Sequence, residues 1–385
     1  MAATDITLES IPISRPTVSP DDLEVFRGAL ETGWITMGPA VAEFERRIAD
    51  LVGVPALATS SCTAAMHLAL IGWGIGPGDE VIVPALSFVA TAHAVAQTGA
   101  TPVFVDVDPD ILAMAPAAVT AALTPRTRAL IPVHLYGIPA PMDELRAICD
   151  GADLRLLEDA AAALGGTYRG RPCGSLGDAG AFSFHPRKVI TTGEGGMLTT
   201  ADSDLLALAR AQRNHGAGMA AYDRQQLGIG VFPTFDVLGY NYRLTDLAAL
   251  LGMAQLDRFD WIASRRRLLA RRYAEGLGDL EGLWLPAVPD GSDPCWPCFV
   301  IALGEGAPLD AHAFQAHMGE RRIASLQGVQ LLPELGYYRE SSGFREGAFP
   351  VAERVAREAV SLPLYPDLTD SQQERIIAAV REAWA

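Results

Sequence analysis

Lys188 is the only lysine in a chain of 385 residues; the other members of its 30 basic residues are all arginine. Arginine supplies charge and forked hydrogen bonds at least as well, but its guanidinium stays protonated and cannot attack a carbonyl. A desolvated lysine amine can lose its proton and form a Schiff base. The segment 181–198, AFSFHPRKVITTGEGGML, sets that amine between an apolar strand-like run and a glycine-rich turn. The chemistry this spacing points to is an aldimine at Lys188, with pyridoxal 5'-phosphate (PLP) as the carbonyl partner.

That cofactor makes three demands, and the chain offers candidates for each. Its pyridine nitrogen needs an acid that keeps it protonated, so that the ring can absorb carbanion charge. Leu156-Leu157-Glu158-Asp159-Ala160-Ala161 ends a strand-like run with two carboxylates, and Asp159, the last polar residue before the alanines, is the candidate. A helix N-cap is the competing reading of Asp159. The phosphate needs N–H groups and hydroxyls at a helix N-terminus. Thr59-Ser60-Ser61-Cys62-Thr63 supplies them between a strand and an apolar helix, with Ser61, Cys62 and Thr63 as the cradle and Ser183 as a further hydroxyl. The same cluster is also an ordinary N-cap. The ring needs an apolar face; Phe88 follows the next strand-like run, though a phenylalanine there serves equally as core.

These residues need a frame that brings them to one edge. Apolar runs at 56–59, 80–83, 101–105, 129–133, 155–157, 179–184 and 196–200 read as buried strands. Helical stretches at 64–71, 89–97, 116–123 and 142–150 alternate with them. The alternation predicts an α/β fold with a mainly parallel sheet covered on both faces. Ligands of such sheets bind beyond the carboxyl ends of the strands. Upstream, Ser19-Pro20-Asp21-Asp22 opens a helix to about Thr32, and a second follows at 41–51. A polar loop, 215–242, leads to helices at 244–256 and 259–277. The expected division is a large domain, residues 1–255, and a smaller C-terminal α/β domain, residues 256–385.

Composition narrows the function classes. Hydrophobic residues make up 49% of the chain, ample for a buried core. A formal charge of -16 argues against nucleic-acid binding, so the arginines at 265–267 and 271–272 read as a solvated helix face. No apolar span suits a bilayer and no leader pattern opens the chain, so a cytoplasmic location without membrane contact is expected. Five cysteines do not form a disulfide framework. Cys295-Trp296-Pro297-Cys298 has redox or half-zinc spacing, but it lacks a second ligand pair and leads into a strand, which favours a packed loop. His312 and His317 fall on different helix faces, so no metal site is expected.

Taken together, Gly33-Trp34-Ile35-Thr36-x-Gly38-Pro39, Glu158-Asp159-Ala160-Ala161, Phe182-Ser183-Phe184-x-x-x-Lys188, Thr192-Gly193-Glu194-Gly195-Gly196 and Gly239-Tyr240-Asn241-Tyr242-Arg243 resemble the DegT/StrS family. Its members are PLP-dependent aminotransferases acting mostly on nucleotide-linked keto-sugars or on ketocyclitols. The resemblance covers roughly residues 10–275. It implies a fold-type I (aspartate aminotransferase-like) homodimer with active sites at the subunit interface. By position, Lys188 resembles the Schiff-base lysine and Asp159 the partner of the pyridine nitrogen. Cys62, Thr63 and Ser183 would hold the phosphate, Phe88 would lie on the ring, and Asn241 would reach the neighbouring subunit's phosphate.

Two departures stand out. Ala162 occupies the place where the family usually carries Gln or His near the cofactor's phenolic oxygen. The family's serine-tryptophan-histidine and histidine-tyrosine-proline segments are replaced at 295–298 and 324–328. The resulting expectation is transfer of an amino group from L-glutamate or L-glutamine to a keto-sugar in sugar or secondary-metabolite biosynthesis. The alternatives are a ketocyclitol acceptor, or elimination, racemisation or replacement on an amino acid. A non-enzymatic sensor is a further alternative, opposed by the acidic charge and the lack of a DNA-binding module.

Overall fold

In the computed structural model, which describes residues 9–217, 228 and 234–385, a seven-stranded sheet organises the first part of the chain. The strands in chain order are β1 (Ala56–Thr59), β2 (Glu80–Pro84), β3 (Leu86–Ser87), β4 (Thr101–Val105), β5 (Thr127–Leu130), β6 (Arg155–Asp159), β7 (Thr167–Tyr168), β8 (Arg171–Pro172), β9 (Ala179–Ser183) and β10 (Gly196–Thr199). Seven of them form the large sheet in the order β1-β10-β9-β6-β5-β2-β4. From β9 to β4 every pairing is parallel, and β10 runs against both of its neighbours.

Connectivity explains that one reversal. Parallel neighbours need a crossover; the helices Cys62–Gly72, Ala90–Ala96, Pro116–Ala122 and Met142–Ala152 supply the connections from β1 to β6, and the segment carrying β7 and β8 connects β6 to β9. Between β9 and β10 the chain makes no crossover but turns straight back, and the two strands pair antiparallel. Lys188 lies on that turn, beyond the carboxyl end of β9.

Side chains alternate across the sheet and divide the core into two layers. Leu57, Val81, Val83, Leu157, Ala181 and Leu198 face one cluster; Ala58, Ile82, Leu130, Leu156, Phe182 and Met197 face the other. The strand expected over 129–133 stops at Leu130, because Pro132 has no N–H to extend the ladder. Val133 meets Asp159 only through an isolated bridge. The strand expected to end at 157 continues to Asp159. The helix opened by Ser19 is capped as expected, with Asp22 completing a capping box, but its first seven residues, Pro20–Phe26, wind as a 3-10 helix.

The C-terminal part adds β11 (Leu283–Trp284), β12 (Ser292–Asp293), β13 (Phe299–Leu303), β14 (Leu326–Gln327), β15 (Gln330–Leu331) and β16 (Ala359–Leu362). An antiparallel sheet, β11-β13-β16-β14, packs with the helices Phe259–Leu277, Ala311–Glu320 and Asp370–Glu382 around a third core. Segments cross between the two units. β12 pairs with β7 and β15 pairs with β3. In return, fully buried Ile11 bridges Ile323 inside the third core, so the first described residues run with the C-terminal unit.

The arginines at 265–272 do not form the solvated face expected of them. Arg265 donates to the carbonyls of Pro366 and Leu368, Arg267 to Asp293 and the Gly165 carbonyl, and Arg272 to Asp370. Arg266 is buried. The helical period turns these four arginines toward different neighbours, each a carbonyl or carboxylate of another element, while Arg271 is exposed as expected. Among the described residues, no helix is long and apolar enough to cross a membrane.

A buried ion pair fixes the end of β1. Arg213 donates to Glu45 Oε1 at 2.5 Å and to the Ala58 carbonyl at 2.5 Å, and the same Glu45 oxygen accepts from the Ala58 N–H at 2.9 Å. Burial is the main influence on the Arg213 guanidinium and lowers its pKa. Removing one partner strands a buried charge. Arg213→Met is expected to cost about 3–5 kcal/mol in urea denaturation, and adding Glu45→Gln is expected to recover part of that loss.

Candidate active site

β6 ends in two carboxylates whose side chains point to opposite faces. Fully buried Glu158 accepts from the N–H groups of Gly174, Leu176 and Gly177 at 2.7–2.8 Å. Its Oε2 also meets His134 Nε2 at 2.9 Å. Because His134 Nδ1 accepts from the Ala140 N–H, the network places the proton on Nε2, which donates to Glu158. Asp159 faces the crevice side. Its Oδ2 accepts from Thr91 Oγ1 at 2.7 Å and its Oδ1 from the Ala161 N–H at 3.2 Å. No helix follows Asp159, so the N-cap reading does not apply.

Ser61 caps the helix Cys62–Gly72, accepting from the Ala64 N–H at 3.1 Å. The first intrahelical bond runs from the Ala65 N–H to the Ser61 carbonyl, so the Cys62 and Thr63 N–H groups precede the helical ladder. β10 passes directly beneath this turn. A Cβ at Gly196 would lie 2.2 Å from the Ser61 carbonyl carbon and 2.4 Å from the Cys62 nitrogen, so only glycine permits the approach. Burial pushes the Cys62 thiol well up, Asp159 pushes it further, and Lys188 opposes them. Both charges are thus felt at the Cys62 thiol. The thiol is therefore neutral and adds no negative charge to an anion cradle.

The Lys188 loop is held from its base and from behind. The Phe184 carbonyl accepts from Thr191 Oγ1 at 2.7 Å and the Thr192 N–H at 3.0 Å. Gln255 forms a two-way bond with the Thr191 backbone, at 3.0 and 2.7 Å. Arg266 Nη2 donates to the Lys188 carbonyl at 3.3 Å, while Nη1 reaches the carbonyls of Trp296, Pro297 and Leu364 at 3.1–3.5 Å. Neither Gln255 nor Arg266 was singled out for the site from sequence; both lie on helices whose apolar faces were legible but whose partners were not.

Phe88 is 67% exposed at the same edge, which removes the core reading. Half-buried Ser183 closes β9, its hydroxyl accepting from the His185 N–H at 3.4 Å. Asn241 is exposed; its backbone bridges Asn214, and the neighbouring Tyr242 carbonyl accepts from the Ser60 N–H at 2.8 Å. Much of the 215–242 loop lies outside the described residues. All five cysteines are free. Burial pushes the thiols of Cys295 and Cys298 up to about 11 and that of Cys149 up to about 12.

The site offers free helix N–H groups, an amine, a fixed carboxylate and an exposed aromatic ring along the carboxyl edge of one parallel sheet. This donor set fits PLP, and the architecture is that of fold-type I PLP enzymes. The profile of the DegT/DnrJ/EryC1/StrS aminotransferase family matches residues 16–381. The chain is 39% identical over 377 residues to the spore coat polysaccharide biosynthesis protein SpsC of Bacillus subtilis, spanning 97% of this chain and 96% of SpsC. Among solved structures it is similar to S. venezuelae DesV in complex with a ketimine intermediate, at 35% identity and a TM-score of 0.90 over 97% of this chain and 98% of DesV. It is also similar to DesI in the presence of its TDP-sugar product, at 33% identity and a TM-score of 0.86 over 97% and 93% of the two chains. The chain belongs to the DegT/DnrJ/EryC1/StrS aminotransferase family and is a PLP-dependent aminotransferase.

Raised thiols are poor nucleophiles, since only the thiolate reacts. At pH 8 a thiol held near 11 is ionised in about one molecule in a thousand. Ellman's reagent is therefore expected to react slowly with the native chain and with all five cysteines after unfolding. Rapid labelling of Cys295 or Cys298 in the native protein would restore the redox reading of that pair.

Proposed function

We propose that the protein moves an amino group from L-glutamate or L-glutamine to a nucleotide-linked keto-sugar, in sugar or secondary-metabolite biosynthesis. The observation that carries this reading is the placing of Asp159 at the end of β6, Lys188 on the turn that leaves the adjacent β9, and a helix N-terminus able to hold a phosphate just beyond β1, all at one edge of the sheet. The TDP-sugar product named for DesI supports a nucleotide-linked acceptor.

When bound, PLP supplies the electron sink that transamination requires. The Cys62 and Thr63 N–H groups, with the hydroxyls of Ser61 and Ser183, bind the phosphate. Phe88 covers one face of the ring. Asp159 accepts a hydrogen bond from the ring nitrogen and holds that proton in place. Lys188 Nζ would hold the cofactor carbonyl, and as a free amine it would move the proton at the substrate α-carbon. The neutral Cys62 thiol keeps like charge away from the phosphate.

In this reading the protein acts as a homodimer, and Asn241 completes the phosphate site of the partner subunit. Its exposed position supports that role.

Purified protein with PLP and either donor is expected to lose the absorbance of Lys188-bound cofactor and release the keto acid. Lys188→Ala should do neither; if it behaves as wild type, the reading fails. A panel of nucleotide-linked keto-sugars and ketocyclitols, read by product mass, then tests the acceptor. Amination of ketocyclitols alone would replace the keto-sugar assignment. Mixing Lys188→Ala and Asn241→Ala subunits tests the arm: activity returns if Asn241 acts across the dimer, because one site then regains both residues. No recovery would place Asn241 in its own subunit's site.

A further inference from the structure

The crevice carboxylate is held by a hydroxyl that belongs to none of the motifs above. Thr91 is fully buried in the first turn of the helix Ala90–Ala96. Its Oγ1 lies within reach of three oxygens: Asp159 Oδ2 at 2.7 Å, Ser87 Oγ at 2.8 Å and the Phe88 carbonyl at 3.2 Å. A hydroxyl has one proton to give and two lone pairs to receive. An ionised carboxylate only accepts, and it accepts more strongly than a carbonyl. The Thr91 proton therefore goes to Asp159, and Ser87, also buried, donates to Thr91.

We propose that Thr91 is the positioning residue for Asp159, fixing the plane of its carboxylate, and that Ser87 sets the direction of the Thr91 hydroxyl. This rests on the role given to Asp159 above. The terminal torsion of an aspartate is broad and needs an external restraint. Here Oδ2 is tied to Thr91 and Oδ1 to the Ala161 N–H, two anchors on different elements. The competing bond to the Phe88 carbonyl is the back-bond threonine makes readily in helices. Ser87 opposes it by occupying a lone pair on the opposite side of the hydroxyl. The relay is braced from the C-terminal unit: β15 pairs Gln330 with Ser87, and Gln330 Oε1 accepts from the Val89 N–H at 3.3 Å. A segment between the ring-facing Phe88 and the carboxylate is thus stiffened by both halves of the chain.

The experiment compares Thr91→Val, Thr91→Ser and Ser87→Ala with wild type. PLP affinity is measured by reconstitution of stripped protein, together with the spectrum of bound cofactor, the half-reaction rate with glutamate or glutamine, and thermal unfolding. Thr91→Val keeps the branched shape and loses the hydroxyl. It is expected to alter the bound-cofactor spectrum and to lower PLP affinity or half-reaction rate about tenfold or more, as for a lost hydrogen bond to a charged group. Thr91→Ser should stay within about threefold of wild type, because it keeps the donor. Ser87→Ala should fall between them with an unfolding temperature near wild type.

The inference is overturned if Thr91→Val matches wild type in spectrum, affinity and rate, or if Thr91→Ser is as impaired as Thr91→Val. Should Thr91→Val fail to fold, the other two variants decide: a Ser87→Ala protein indistinguishable from wild type, beside an impaired Thr91→Ser, overturns it. Wild-type protein that binds no PLP at Lys188 would overturn the functional reading as well.

Discussion

A buried guanidinium whose hydrogen bonds, among the described residues, all run to carbonyl oxygens ties the reactive loop to the rest of the molecule. Arg266 has no carboxylate partner, and burial pushes its pKa down to about 10, which still leaves it charged at neutral pH. Its bonds join the backbone of Lys188 to Trp296, Pro297 and Leu364. A charge left unpaired in a dry interior would be costly, and several carbonyl dipoles offset that cost only if they stay in place. The helix Phe259–Leu277, the Cys295–Cys298 loop and the turn between β9 and β10 are consequently held to one arrangement. Trp296 accepts a left-handed backbone, φ 51°, as part of it. The amine itself does not build this frame; it is carried by it.

Two neighbouring acids divide structural and chemical work by pointing to opposite faces of β6. Glu158 spends its oxygens on three N–H groups and His134, which locks the turn at 174–177 beneath the sheet. That frees Asp159 to face the crevice at the end of a rigid strand. Across from it, Gly196 lets β10 approach the cradle at Ser61–Cys62 more closely than any side chain would allow. Lysine, carboxylate and helix N-terminus therefore meet because β10, β9 and β6 are adjacent in the sheet and β1 flanks β10.

The departures from the family pattern lie at Ala162 and in the segments 295–298 and 324–328. The Cys295–Cys298 loop is a packed element bound to Arg266, with thiols pushed up by burial. β15, just beyond 324–328, pairs with β3 beside Phe88 and Thr91. The C-terminal unit thus braces the segment that carries Phe88 and Thr91.

Chemistry was the most legible feature of the sequence. One lysine among arginines, an acidic pair ending an apolar run, and a Ser/Thr cluster opening an apolar helix are local signals, and each depends on residue type and near neighbours. The alternation of strands and helices was legible for the same reason, because period and turn residues are written within a few positions. Tertiary structure decided what depends on pairing between distant segments. It reversed β10, gave Glu158 its buried partners on the opposite face from Asp159, and turned Arg266 from an expected surface charge into a buried tie. It also brought Thr91 to Asp159, 68 positions away in sequence. A hydroxyl or guanidinium carries no local mark of the partner it will meet; only the packing of the sheet and the crossing of segments between the two units supplies one.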